Sequence, residues 1–241
     1  MIAITSIAPN HVSDQQKAIK SWLDAGIKVY SFNSHEEAEL LFKDYKDVHF
    51  VETYRTLEHI YGKPVVSISA MIDWCKMSVY DKFIFVNSDI EIDNDSKILT
   101  KISKELDKNL VLANRLEYSE KNPKDKTAKY YYDGIDVFCL NKIHLHVYNQ
   151  SMFAMGQCFW DYWIPFTAQK SGFDVTLLRN HKAFYHKEHP LQYSTDNWHK
   201  TGRYFRIDNS LYQFEDTTRG IGDMSKFVFN NIYRQMIKKE L

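Results

Sequence analysis

Short apolar runs alternate with longer segments of helical period along this chain, and that alternation is the first thing the sequence shows. Residues 2–7 (Ile-Ala-Ile-Thr-Ser-Ile) read as a buried strand. From Ser13 to Ala25, the positions Ala18, Ile19, Trp22 and Leu23 share one helical face. Ser13 is the expected N-cap, Gln16 completes a capping box, and Gly26 ends the helix. A strand over 27–32, a helix over 35–45 and a strand over 48–51 follow. This β-α-β-α-β order predicts an α/β fold with a mostly parallel central sheet flanked by helices.

The pattern continues. Pro64 opens a predicted helix to Met77, with Val65, Ile68, Met71, Ile72 and Cys75 on its apolar face. Lys82-Phe-Ile-Phe-Val86 is the most hydrophobic strand. A helix over 96–108, a strand over 110–113 and a polar loop over 122–126 come next. Residues 130–140 read as a strand or strand pair broken at Asp133-Gly134. A helix over 157–170, ended by Gly172, precedes a last core strand over 175–178. After Arg179 the texture turns polar with scattered aromatics, without internal repeats or low-complexity stretches. The expected organisation is one domain over 1–241, with a core of about 1–200 and an extension over 201–241. That extension, beginning just past Trp198, is expected either to shape acceptor or partner binding or to brace the sheet.

Composition narrows the function classes. Thirty-one basic residues balance thirty-one acidic ones in 241, which argues against a nucleic-acid partner, because phosphate neutralisation demands a basic excess. Three scattered cysteines make neither a disulfide framework nor a zinc motif. No apolar run reaches the roughly 18 residues of a membrane span. The sequence opens directly on a strand, so no leader and a cytoplasmic location are expected. Aromatics reach 15%. Most of them belong to a core, but some can wall a site for bases or sugars.

Three constellations carry candidate chemistry. Asn87-Ser88-Asp89 follows the most hydrophobic strand, where open α/β sheets bind ligands. A carboxylate there suits a hard divalent cation, and Asp89 shares a face with Glu91 if the chain stays extended. The same residues also form ordinary turns. Asp161 lies among Phe159, Trp160, Tyr162 and Trp163, either on the wet side of an amphipathic helix or as a general base in an aromatic pocket. His181, His186 and His189 gather beyond the last core strand, either as metal ligands or as a solvated loop.

In order and context, residues 2–189 resemble the GT-A fold of nucleotide-sugar glycosyltransferases. Phe83-Ile-Phe-Val-Asn-Ser-Asp-Ile90 is similar to that family's acidic metal motif, with Asn87 in the first acidic position. The resemblance implies that Asp89 binds Mn²⁺ or Mg²⁺ on the donor diphosphate, and that Asn87, with Ser88 beside it, meets the ribose or a metal-bound water. Tyr132–Phe138 resembles the acceptor-side strand, Asp161 takes the catalytic-base position, and His186 completes the metal shell. Thr5, Ser6 and Asn33 fall where the family holds base and ribose, and Arg55 and Lys63 where it contacts base or phosphate.

The implied reaction moves a sugar from a nucleotide diphosphate donor to a glycan or other hydroxyl acceptor, with inversion. An ordinary Asp161, with a pKa of about 3.9, would serve as base without tuning. Two rivals stand beside it. A sugar nucleotidyltransferase shares the sheet, but the loop Ala8–Ser13 has no Gly, Lys or Arg to cradle a triphosphate. A non-catalytic binding module of the same fold is the other.

Overall fold

A computed structural model describes residues 1–93, 96–119, 121, 124, 128–131, 135–179, 182–189 and 194–240. The chain runs β1 (Ile2–Thr5), α1 (Val12–Asp24), β2 (Lys28–Asn33), α2 (His35–Leu41), β3 (His49–Glu52), α3 (Glu58–Tyr61), α4 (Ile68–Met77), β4 (Lys82–Val86) and β5 (Ile90–Ile92). It continues through α5 (Ser96–Glu105), β6 (Leu110–Ala113), β7 (Leu116–Tyr118), β8 (Lys129–Tyr130), β9 (Val137–Asn141) and a 3₁₀ turn (Lys142–Val147). The last elements are α6 (Trp160–Lys170), β10 (Val175–Arg179), β11 (Phe184–Lys187), α7 (Thr195–Asp208), α8 (Thr218–Gln235) and β12 (Ile237–Glu240).

The central sheet has eight strands in the order β12-β10-β6-β9-β4-β1-β2-β3, parallel except for β9, which is antiparallel to β4 and β6. Strand alternation explains its apolar runs. Phe83 and Phe85 of β4 pack into one core layer, while Ile84 and Val86 pack into the other. β1, β6 and β9 divide their side chains in the same way, so these strands are buried on both faces and read as continuous hydrophobic segments. On one face lie α4, α6 and α8, and on the other α1, α2 and α5. No helix among the described residues is long and apolar enough to cross a membrane.

A second sheet, β5-β11-β7-β8, is absent from the sequence reading. Its strands are too short to show a period. α1 holds it against the main body: the Trp22 indole N–H donates to the Ile90 carbonyl (2.7 Å), and the Ile92 N–H donates to Ser21 Oγ (2.9 Å).

Several boundaries move, each for a local reason. α1 begins at Val12 after His11, which adopts a left-handed conformation and makes no side-chain cap bond. The expected Ser13 cap and Gln16 box are therefore replaced, and the neighbouring Gln15 is the buried amide. α4 starts at Ile68, capped by Ser67, because residues up to Ser67 are drawn out into bridges with Thr56 and Ala154. α6 starts at Trp160, which places Asp161 in its first turn. The chain turns at Asp89 and does not stay extended, so Glu91 leaves Asp89 and, itself buried, pairs with Tyr118, Lys17 and Lys124. His181, the break at Asp133-Gly134 and most of the 122–126 loop lie outside the described residues.

The segment set apart as an extension is woven into the body. Ile221, Met224, Val228 and Ile232 of α8 are buried in the layer that holds α6, and β12 pairs in parallel with β10. Four such side chains contribute about 6–12 kcal/mol of burial, comparable with the whole net stability of a domain, about 5–15 kcal/mol. Truncation after Gly202 is therefore expected to abolish cooperative thermal unfolding. A truncated chain that still melts cooperatively would show that α8 and β12 are dispensable.

Candidate active site

A parallel sheet delivers the carboxyl ends of its strands to one edge, and the candidate residues collect there. The turn after β4 carries Asn87, Ser88 and Asp89, with the Ile90 N–H closing onto the Asn87 carbonyl (3.2 Å). β5 then pairs antiparallel with β11 so that Ile90 lies opposite His186. That register brings together side chains nearly a hundred positions apart.

Three of them converge. His189 Nε2 lies 3.2 Å from Asp89 Oδ2. His186 Nε2 lies 3.5 Å from the same oxygen. The two Nε2 atoms are 3.1 Å apart. Such separations are those of neighbouring ligands on one ion bonded at about 2.1 Å. Asp89 Oδ1 and Asn87 Oδ1 are buried without a hydrogen-bond donor among the described residues, as is His186 Nδ1 without a partner. Buried acceptors in a folded protein are normally satisfied, so the trio fits a cation that its own neighbours do not replace. Burial would raise the Asp89 carboxyl, but His186 and His189 outweigh it and hold that group well below the usual carboxylate range. Glu117 Oε1 lies 3.8 Å from His186 Nδ1, on the side that leaves Nε2 facing Asp89.

The trio borders a cavity of about 640 Å³. Asp161 lines it from the first turn of α6, and its carboxylate accepts from the Tyr162 N–H (3.1 Å). Phe159, the residue before the helix, has φ 68°. A left-handed backbone is uncommon for a bulky side chain. Here packing holds it, with the Phe159 ring 5.6 Å from Phe205 and 5.8 Å from Trp198. Burial and the nearby Asp136 push the Asp161 carboxyl up to about 7. The untuned carboxylate expected from the sequence is thus replaced by one tuned to neutral pH, because the cavity wall removes solvent and a second acid stands near.

Asp136 is that acid, 6% exposed. One of its oxygens is bound by Arg115, and the other is buried without a donor among the described residues. Burial raises its pKa, while Arg115 opposes the rise. Arg115 also donates to Glu117 (2.7 Å) and lies 4.3 Å from the centre of the Tyr131 ring. Sequence reading had placed Asp136 only within the segment that resembles an acceptor-side strand, and had missed Arg115, Glu117, Gln15 and Glu37. Arg115 and Glu117 lie beside and within a three-residue strand, and Gln15 and Glu37 are single polar residues on helices α1 and α2, so none of them adds a periodic signal.

The expected donor-side residues separate. Ser6, Lys63, Asn87 and Ser88 line the cavity. Thr5 is buried in β1. Asn33 is wholly buried, its amide donating to the Ile7 carbonyl (2.8 Å) and to Glu37 (3.1 Å), so it shapes the loop from behind. Arg55 points elsewhere, paired with Asp73 (2.7 Å) and Gln150 (2.8 Å). His189 joins Asp89 and His186, and Trp198 of α7 lines the cavity near Phe159.

TarS of S. aureus, a glycosyltransferase, superposes with a TM-score of 0.53 over 97% of this chain at 9% identity. The fold is similar to that of TarS. The chain spans 42% of the TarS chain. HddC from Yersinia pseudotuberculosis reaches a TM-score of 0.42 at 12% identity, over 85% of this chain and 98% of its own, too low to carry an argument. No protein-family model and no curated protein matches the sequence.

The raised Asp161 pKa has a consequence for stability. The folded chain keeps that proton between about pH 4 and pH 7, where the unfolded chain has lost it, so this carboxyl costs stability as pH rises through the window. Asp161→Asn removes the cost. The variant is expected to be more stable than the parent at pH 8, by at most about 4 kcal/mol, and so to melt higher there, with little difference at pH 4. Equal melting temperatures at both pH values would refute the buried, raised carboxyl.

Proposed function

We propose that this chain is a metal-dependent, inverting glycosyltransferase of the GT-A kind, moving a sugar from a nucleoside diphosphate to an acceptor hydroxyl. The observation that carries the reading is the convergence of Asp89, His186 and His189 on the same cavity that Asp161 lines. A divalent cation held by that trio supplies positive charge for a departing diphosphate. Two imidazoles beside one carboxylate favour Mn²⁺, since Mg²⁺ prefers oxygen ligands.

The chain's own groups do the rest. Ser6 and Lys63 hold the nucleotide side, with the Lys63 ammonium offered to phosphate. The unpaired Asp136 oxygen accepts from a hydroxyl of the transferred sugar, and Arg115 keeps that carboxylate in place. Asp161 takes the acceptor proton as the hydroxyl oxygen attacks the anomeric carbon. A base with a pKa near the working pH combines a useful deprotonated fraction with real proton affinity. Tyr162 and Trp198 give the acceptor side apolar surfaces suited to a sugar ring.

Supplied with nucleotide sugars, Mn²⁺ and glycan acceptors, the protein is expected to release free nucleoside diphosphate as glycoside forms. Donor binding without such release would leave a binding module. Asp89→Ala should abolish metal-dependent donor binding by calorimetry while the protein stays folded, and unchanged affinity would remove the metal assignment.

Asp161→Asn should keep donor affinity and lose about 10²–10⁴-fold in transfer. In the parent, kcat/KM should fall on the acid side with an apparent pKa of about 7, and the variant should lack that limb. Near-normal turnover would move the role of base to another acid, Asp136 first.

A further inference from the structure

We propose that Gln15 is a positioning residue that locks the loop after β1 to the Asn87–Ser88–Asp89 turn, so that the nucleotide and metal sides of the cavity move as one unit. What the coupling serves rests on the nucleotide-sugar reading above. The coupling itself rests on hydrogen bonds.

A carboxamide can accept through two lone pairs and donate two hydrogens, and Gln15, 3% exposed, uses all four. Its Oε1 accepts from the Ala8 N–H (2.9 Å) and from the Ser88 hydroxyl (2.6 Å). Its Nε2 donates to the Ala8 carbonyl (2.9 Å) and to the Asn10 carbonyl. Ala8 is thus paired through both its N–H and its C=O, as a strand residue would be, although β1 has already ended at Thr5. The loop needs this support because the residue that opens α1, His11, provides no side-chain cap.

Ser88 sits between the two residues whose orphaned oxygens, Asn87 Oδ1 and Asp89 Oδ1, are buried at the site. Through Ser88, Gln15 reaches the turn that presents Asp89. Through Ala8 and Asn10, it reaches the cavity wall next to Ser6. Glutamate would lack both donated bonds, and asparagine is one methylene too short to span loop and turn from α1. Gln16, the neighbour that the capping pattern points to, is exposed and does not touch the site.

The test separates the coupling from the function. In ligand-free protein, Ser88→Ala removes one hydroxyl, whose link to the loop runs through Gln15. Hydrogen exchange at the Ala8 amide, which donates to Gln15, should nevertheless quicken by at least about threefold, with the melting transition still cooperative. Unchanged exchange there overturns the coupling. With Mn²⁺ present, uridine and guanosine diphosphates are then titrated against the parent, Ser88→Ala, Gln15→Leu and the double variant. For the diphosphate that the parent binds, each single change should raise Kd by about tenfold, and the double variant should bind no worse than Gln15→Leu. Losses that add independently overturn the proposal. A parent that binds neither diphosphate refutes the nucleotide-sugar reading, while the exchange result still decides the coupling.

Discussion

Asp89, Asp136 and Asp161 crowd one cleft, and the surrounding structure is arranged around keeping that negative charge tolerable. Each is answered differently. Asp89 faces two imidazoles and is held ionised. Asp136 is tied to Arg115 on one oxygen only. Asp161 has no ion pair among the described residues and keeps its proton to about pH 7. Three carboxyl groups of one chemistry thereby acquire three roles, because burial and neighbouring charge set the free energy of the charged form.

Those environments depend on strand order. The central sheet delivers β4, β6 and β10 to the same edge, and β9 runs against them so that Asp136, just ahead of it, enters from the opposite direction. The small second sheet then folds over that edge. Its β5–β11 register places His186 across from the residue after Asp89. A slip by one residue would turn His186 to the other face of its strand, so Trp22 and Ser21, which pin β5 to α1, support the site although they do not border the cavity.

The protein combines rigid walls with local strain. Phe159 adopts an unfavourable left-handed backbone next to the candidate base, and aromatic packing from α7 holds it there. Pro165, four residues after Asp161, has no N–H to give to the Asp161 carbonyl. Strain of this kind persists where the surrounding packing over-determines it. The last two helices belong to this arrangement, since α7 supplies Phe205 and Trp198, and α8 packs behind α6.

Much of the architecture was legible in residue order. The apolar run of β4, the helical face of α1 and the alternation of the first three strands follow from local periodicity, which burial imposes directly on the chain. Asp89, His186 and Asp161 stood out because polar groups interrupted apolar or aromatic context. What periodicity could not supply was every relation between distant segments. The pairing of β5 with β11, the union of His189 with Asp89, the departure of Arg55, and the Gln15 bridge to Ser88 exist only once strands are in register. The Asp161 pKa belongs to the same class: an aspartate's intrinsic acidity is written in its covalent structure, but the solvent excluded from it and the charge set beside it are properties of the folded cleft.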